Sequence, residues 1–172
     1  MPDHPDVEQI VQTVKQDVNK AGRSQAVPSS EKPQMAIDKL VFAGWQVCAQ
    51  CHKPQTVFWE KTGHASAYQT LIEQDQQFNL DCLPCHVTSE YETTRISDND
   101  SILLSLPSVL RQVGCEVCHG PGKKHAASQD PSHISRKPAA AICLRCHTPD
   151  RDEKFNYGNK LERIACPASM RK

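Results

Sequence analysis

The chain has 172 residues, a formal net charge of zero and a pI near 7.1, so it lacks the basic surplus typical of proteins that bind nucleic acid or acidic membranes. Hydrophobic residues make up 38% of the sequence and aromatic residues only 5%, which is thin for a conventional side-chain core. A cofactor with a large apolar surface would supply what the side chains lack.

An amphipathic helix is predicted over residues 6–20, with Asp6 as a suitable N-cap and Gly22 as a suitable stop. The apolar residues that recur at the three- and four-residue spacing of one helical face are Val7, Ile10, Val11, Val14 and Val18. This face would pack on the rest of the chain, or would dock a partner or a second copy.

Three units are predicted along the chain. Residues 1–22 form the N-terminal helix. Residues 23–39 form a linker, because Pro28, Ser29, Ser30 and Pro33 interrupt regular structure. Residues 40–172 form the domain that carries the cysteine motifs.

One five-residue pattern, Cys-x-x-Cys-His, occurs four times in that domain. The copies are Cys48-Ala49-Gln50-Cys51-His52, Cys82-Leu83-Pro84-Cys85-His86, Cys115-Glu116-Val117-Cys118-His119 and Cys143-Leu144-Arg145-Cys146-His147. This pattern attaches haem c covalently: the two thiols lie about one helical turn apart and add to the vinyl groups of one porphyrin, and the histidine binds the iron. The sequence therefore predicts four covalent haem c groups, one for about every 43 residues, which would replace much of the side-chain core.

Two four-cysteine zinc sites are the alternative use of four Cys-x-x-Cys pairs. That alternative leaves the histidines unexplained. With 8 histidines in 172 residues, chance placement of one directly after each of four pairs is very improbable. The haem interpretation is therefore the stronger one.

The rest of the domain predicts a mostly α fold with many irregular connections and little or no sheet. Residues 56–74 suggest a helix, and residues 101–113 an apolar helix or turn segment that Pro107 interrupts. Gly120-Pro121-Gly122 and the region of Pro131 and Pro138 indicate loops. The motif histidines are 34, 33 and 28 residues apart, and this unequal spacing argues against a solenoid.

Each haem iron with one protein ligand has a sixth position, and four histidines outside the motifs could fill it: His4, His64, His125 and His133. His64 has small neighbours, which leave room for a porphyrin face. His125 follows His119 by six residues through a tight loop, so it should serve a neighbouring haem. His133 and His4 are weaker candidates, His4 because termini are mobile.

These motifs resemble the cytochrome c-554 family of tetrahaem proteins over about residues 42–166. The resemblance lies in Trp59 and Thr62-Gly63-His64-Ala65, in Cys115-Glu116-Val117-Cys118-His119-Gly120-Pro121-Gly122 followed by His125, and in the other motifs. It implies that His64 ligates the third haem and His125 the first, and that the second haem is five-coordinate. It also implies that a histidine near the C-terminus ligates the fourth.

The chain departs from the family at that last ligand, because no histidine follows His147. Cys166 stands at the matching position, and its thiolate could bind the iron of the fourth haem. Met170 offers a thioether. The remaining alternatives are His133, a ligand from another chain, or none.

The leading functional hypothesis is an electron-transfer protein that relays single electrons between redox partner proteins. The alternatives are a haem-based reductase of a small nitrogen oxide at an open haem, and a haem subunit of a larger multidomain or polymeric assembly. Haem c is attached outside the cytoplasm, so we expect a periplasmic or extracellular protein. Residues 1–27 lack an apolar signal core and a transmembrane stretch, so the export signal would be absent from this sequence.

Overall fold

The structure is a computed structural model that describes residues 5–26, 40–89 and 103–168, and every regular element within them is a helix. The α-helices are α1 (Pro5–Gln25), α2 (Trp45–Cys51), α3 (Lys53–Trp59), α4 (Ala67–Glu73), α5 (Leu83–His86), α6 (Cys115–His119), α7 (Lys123–Ser128), α8 (Ala140–Cys143) and α9 (Tyr157–Ile164), with 3₁₀ turns at Ser108–Leu110 and Pro131–His133. This confirms the expected mostly α class.

Helix α1 runs past the predicted stop at Gly22 and ends at Gln25. Gly22 lies inside the helix because the chain needs a close approach there: a Cβ atom at this position would overlap the carbonyl oxygen of Phe78. Asn19, which is buried, donates to Asp75 Oδ1 (3.0 Å) and accepts from the Phe78 amide (2.7 Å). Small and polar residues therefore attach α1 to the rest of the molecule.

The predicted apolar face of α1 is exposed. Its side chains range from 39% accessible at Val18 to 63% at Ile10. The helix thus packs on the rest of the chain through a different face from the one that the periodicity predicts. Most of the predicted linker, residues 27–39, lies outside the described residues, as do His4 and Met170. Among the described residues, no helix combines the length and the hydropathy needed to cross a bilayer.

The helix predicted over residues 56–74 is divided. Helix α3 ends at Trp59, α4 starts at Ala67, and the turns between them carry His64. Thr62 contributes to the break, because its hydroxyl donates to the Trp59 carbonyl (2.7 Å) and caps the end of α3. The indole N–H of Trp59 donates to the Val113 carbonyl (2.9 Å), and the Val113 amide donates to the His64 carbonyl (3.1 Å). These bonds tie the His64 segment to the chain that leads into the third motif.

A small side-chain core lies beside the second motif. Its buried members are Phe42, Leu71, Leu83, Val87, Leu104, Leu106 and Leu110. Thr88 joins this core to the third motif, because its hydroxyl donates to the Gln112 carbonyl (2.7 Å) and accepts from the Gly114 amide (3.0 Å). With Trp59 and Val113, nine apolar residues are buried in the part of the chain that the structure describes, which is few, as the composition predicts.

Candidate haem-binding site

Each Cys-x-x-Cys-His motif occupies a helical turn. Helix α2 holds the first pair, α5 and its N-cap the second, α6 the third, and the end of α8 with the following turn the fourth. The amide of His52 donates to the Cys48 carbonyl (2.9 Å), and that of His147 to the Cys143 carbonyl (2.9 Å). Because residues three apart share one side of a helical turn, both cysteines of a motif point the same way.

Cysteines of different motifs lie next to one another. A hydrogen bond with the Cys115 thiol, reinforced by burial, raises the pKa of Cys48. The first motif is therefore a direct neighbour of the third. In the same way, a hydrogen bond with the Cys85 thiol, reinforced by burial, raises the pKa of Cys146. The second motif is therefore a direct neighbour of the fourth.

The third and fourth motifs complete the series. Burial raises the pKa of Cys118 to about 11, and the next contribution comes from Cys143. Cys118 belongs to the third motif and Cys143 to the fourth. The thiol contacts thus link the motifs in the order first, third, fourth, second, which differs from their order along the chain.

Two pairs of histidine rings face each other at similar distances. The ring centres of His52 and His125 are 6.2 Å apart with an interplanar angle of 27°, and those of His64 and His147 are 6.1 Å apart at 63°. Two imidazoles that bind one metal ion from opposite sides through bonds of about 2 Å have ring centres roughly 6 Å apart. Both pairs have the spacing of imidazoles on the two sides of one iron.

Four of the candidate ligands, His86, His119, His125 and His147, are held in the tautomer that binds a metal. The Nδ1 atoms of His86, His119 and His125 donate to the carbonyl oxygens of Ala67 (2.6 Å), Ser135 (2.6 Å) and Asp130 (2.9 Å). Since a carbonyl only accepts, each Nδ1 carries the proton and each Nε2 keeps its lone pair for a metal. In His147 the acceptor is a carboxylate, Oδ2 of Asp152, at 2.9 Å.

His64 is half-buried. Burial, followed by the neighbouring His147, lowers its pKa. A lower pKa keeps the ring neutral near pH 7, and the neutral ring is the form that ligates iron.

The structure places His125 beside His52, the histidine of the haem that the resemblance assigns to it. His64 has a different neighbour from the expected one: it faces His147 of the fourth motif, whereas the resemblance implied the third. The position of His64 depends on how the segment between α3 and α4 folds. No local sequence pattern around His64 predicts that fold.

Cys166 also lies near a different motif from the one expected. Burial, followed by the nearby Cys115 thiol, raises its pKa, and Cys166 acts in turn on Cys118. The Gln55 side chain donates to the Pro167 carbonyl (2.8 Å), which holds the tail against α3. The tail beyond α9 therefore brings the thiol toward the third motif. His133 stays beside its own loop, where its Nδ1 pairs with the Ser128 hydroxyl at 2.9 Å.

Glu116 has a role that the sequence interpretation missed. It is 3% exposed, and its carboxylate accepts from the amides of Ala43 (2.8 Å), Gly44 (2.8 Å) and Gly122 (2.7 Å). Gly44 precedes α2, Glu116 belongs to α6, and Gly122 precedes α7, so one carboxylate ties together the elements that carry His52, His119 and His125. The sequence does contain a signal for this role: Glu116 is a charged residue inside a Cys-x-x-Cys-His motif, and Gly120-Pro121-Gly122 follows that motif directly.

Space for an apolar group lies among the second, third and fourth motifs, in a cavity of about 430 Å³. The apolar residues and the motif cysteine that line it are Phe42, Pro84, Val87, Val117, Pro121, Ile142 and Cys146, and Ser89, Glu116 and Arg145 add polar groups. All nine cysteines are free thiols, so those of the motifs can form thioethers. Across the described ranges, no group of three or more His, Cys, Asp or Glu side chains is arranged to hold a metal ion. The paired rings, the free thiols and the apolar cavity fit haem c.

The comparisons with known proteins agree with this geometry. Residues 47–120 match the family described as cytochrome c554 and c-prime. A stretch of 98 residues is 33% identical to cytochrome c-554 of Nitrosomonas europaea, and this similarity covers 48% of the present chain. Residues 47–120 belong to the cytochrome c-554 family.

That membership carries covalent haem c and haem-based electron transfer as the family's chemistry. The match spans the first three motifs and ends before the fourth, which starts at Cys143. The chain covers 39% of the length of the Nitrosomonas protein. No solved structure gives a significant match.

Proposed function

We propose that this member of the cytochrome c-554 family is a tetrahaem electron-transfer protein that relays single electrons between redox partner proteins. The observation that carries the proposal is the pair of histidine couples, His52 with His125 and His64 with His147, each at the spacing of two ligands on one iron. Haem supplies one-electron redox chemistry, and the chain supplies attachment, ligation and spacing.

The proposed attachment sites are the eight motif cysteines: Cys48, Cys51, Cys82, Cys85, Cys115, Cys118, Cys143 and Cys146. The proposed proximal ligands are His52, His86, His119 and His147. We assign His125 to the first motif and His64 to the fourth on the ring distances. Cys166 is the candidate at the third motif, since its thiol lies near those of Cys115 and Cys118.

The spatial order of the motifs supports relay through the whole molecule. Cys48 neighbours Cys115, and Cys85 neighbours Cys146, so adjacent attachment sites are in direct contact. Groups attached at such sites would be separated by little protein. Redox partners would then act at the first and second motifs, the two ends of the series, in the periplasmic or extracellular space where haem c is attached.

Mass spectrometry of the native protein, followed by electron paramagnetic resonance of its oxidised form, tests the proposal. Four covalent haem additions are expected, with at least two low-spin signals from bis-histidine haems. Fewer than four additions would contradict the tetrahaem assignment. A spectrum with no bis-histidine signal would contradict the ligand pairs.

A second candidate function is reduction of a small nitrogen oxide at an open haem. The observation that favours it concerns His86, whose ring is fixed by the Ala67 carbonyl and, within the described part of the chain, faces no second histidine. A high-spin signal that shifts when nitric oxide or carbon monoxide is added would support it. A fully low-spin spectrum would rule it out.

A further inference from the structure

The loop after the fourth motif folds back onto the motif's own histidine. The amides of Arg151 and Asp152 both donate to the Thr148 carbonyl, at 2.9 and 2.8 Å. This turn brings Oδ2 of Asp152 to 2.9 Å from Nδ1 of His147. The ring of Phe155 stacks on the imidazole, with ring centres 4.5 Å apart and an interplanar angle of 19°. The ring of His147 is thus fixed in both plane and tautomer.

The acceptor at this position differs in charge from the others. His86, His119 and His125 donate to neutral backbone carbonyls, whereas His147 donates to a carboxylate. A charged acceptor forms a stronger hydrogen bond and draws the Nδ1 proton further from the ring. The imidazole then becomes more basic and donates more charge through Nε2, which favours ferric over ferrous iron.

We propose that Asp152 is a positioning residue that lowers the reduction potential of the haem on the fourth motif through its hydrogen bond with His147. This inference rests on the proposed function, because it requires haem at that motif. It concerns the side chain that the ligand His147 donates to, and it makes the fourth site electronically distinct from the second and third, whose proximal histidines donate to backbone carbonyls.

Lys160 moderates the same carboxylate. Its Nζ lies 3.7 Å from Oδ2 of Asp152, the oxygen that also accepts from His147. Asp152 is 25% exposed and Lys160 46% exposed, so the ion pair is partly screened by water. The lysine draws charge from the shared oxygen and weakens its pull on the Nδ1 proton. Lys160 lies on α9, so this ion pair links the C-terminal helix to the fourth motif.

Asp152→Asn in the holoprotein tests the proposal, because asparagine keeps the shape of aspartate and removes its charge. The matched control is Asp150→Asn, which removes an exposed carboxylate from the same loop. Each variant is titrated electrochemically while its absorption spectrum is followed, after mass spectrometry has counted the covalent haems. We expect one of the four midpoint potentials to rise in Asp152→Asn, by more than any shift in Asp150→Asn.

The haem count distinguishes failure of the proposed function from failure of the proposed role of Asp152. If the native protein carries no haem at Cys143 and Cys146, the proposed function fails. If four haems are attached and the shift in Asp152→Asn does not exceed that in Asp150→Asn, the role of Asp152 is overturned and the proposed function stands.

Lys160→Gln keeps the inference testable if Asp152→Asn fails to fold. Removing the lysine frees the carboxylate, so one midpoint potential should fall. The charge-matched control is Lys154→Gln at an exposed position of the same loop. A fall no larger than that in Lys154→Gln would overturn the proposal.

Discussion

His125 and His64 define single-residue tests of the ligand pairs. His125→Ala should leave the haem of the first motif without its sixth ligand, because the facing ring of His52 is 6.2 Å away and no longer shares the iron with a second imidazole. We expect one low-spin haem to become high-spin in electron paramagnetic resonance of the oxidised protein. His64→Ala should do the same to a different haem.

His133→Ala is the matched control for both variants. His133 pairs with the Ser128 hydroxyl in the same loop region as His125, so its removal should leave the low-spin signals in place. If His125→Ala also leaves the spectrum unchanged, the pairing of His125 with His52 does not involve iron.

Cys166 gives a prediction that distinguishes the third motif from the fourth. Thiolate donates more charge to iron than histidine does and lowers the potential. Cys166→Ser should therefore raise one midpoint potential, and this potential should differ from the one that Asp152→Asn raises. A change at the same haem in both variants would return Cys166 to the fourth motif. An unaltered titration would show that Cys166 is not a ligand.

At the scale of elements, Glu116 holds α2, α6 and α7 together. Glu116→Gln keeps one acceptor oxygen but turns an N–H group toward amides that also donate, at Ala43, Gly44 or Gly122. Buried donors left without acceptors, and the lost charge, should lower the free energy of unfolding by about 2–5 kcal/mol. Denaturant unfolding of the holoprotein measures this. Glu153→Gln, at an exposed position, should cost far less.

Gly22 tests how α1 is attached. In Gly22→Ala the new methyl group would overlap the Phe78 carbonyl oxygen, so α1 must move away from the bonds that Asn19 makes. Faster amide hydrogen exchange over residues 5–25 is expected. Gly158→Ala in α9 is the control, because a Cβ there makes only an ordinary contact, 3.5 Å from Asn156 Oδ1. Equal exchange in the two variants would show that the close approach at Gly22 does not hold the helix.

The extent of sequence-based prediction differs between local and long-range features. Haem attachment can be predicted for the four motifs from the sequence, and it stays a prediction, because all the chemistry involved lies within five residues. The neighbours of His64 and Cys166 could not be predicted, since they depend on how the turns after α3 and α9 fold back over the motifs. The local sequence predicts that the helix stops at Gly22, but the helix continues to Gln25. The reason for a glycine there is its close approach to Phe78, which lies 56 residues further along the chain. Asp152 follows His147 by five residues, yet nothing in that spacing alone indicates a hydrogen bond.

At the scale of the whole molecule, the order first, third, fourth, second predicts that the motifs are not equivalent. The third motif is internal to the series, between Cys48 on one side and Cys143 on the other. The second lies at an end of the series of thiol contacts, where Cys85 bonds to Cys146. Loss of the third haem should therefore separate the first from the rest, whereas loss of the second should shorten the series without dividing it.

Cys115→Ser with Cys118→Ser and, for comparison, Cys82→Ser with Cys85→Ser test this order. Mass spectrometry should show three haems in each variant. Rapid reduction by a small one-electron donor should become biphasic in the third-motif variant, because the first haem no longer equilibrates quickly with the others. Reduction of the second-motif variant should show the same number of kinetic phases as reduction of the native protein. Identical kinetics in the two variants would contradict the spatial order that the cysteine contacts define.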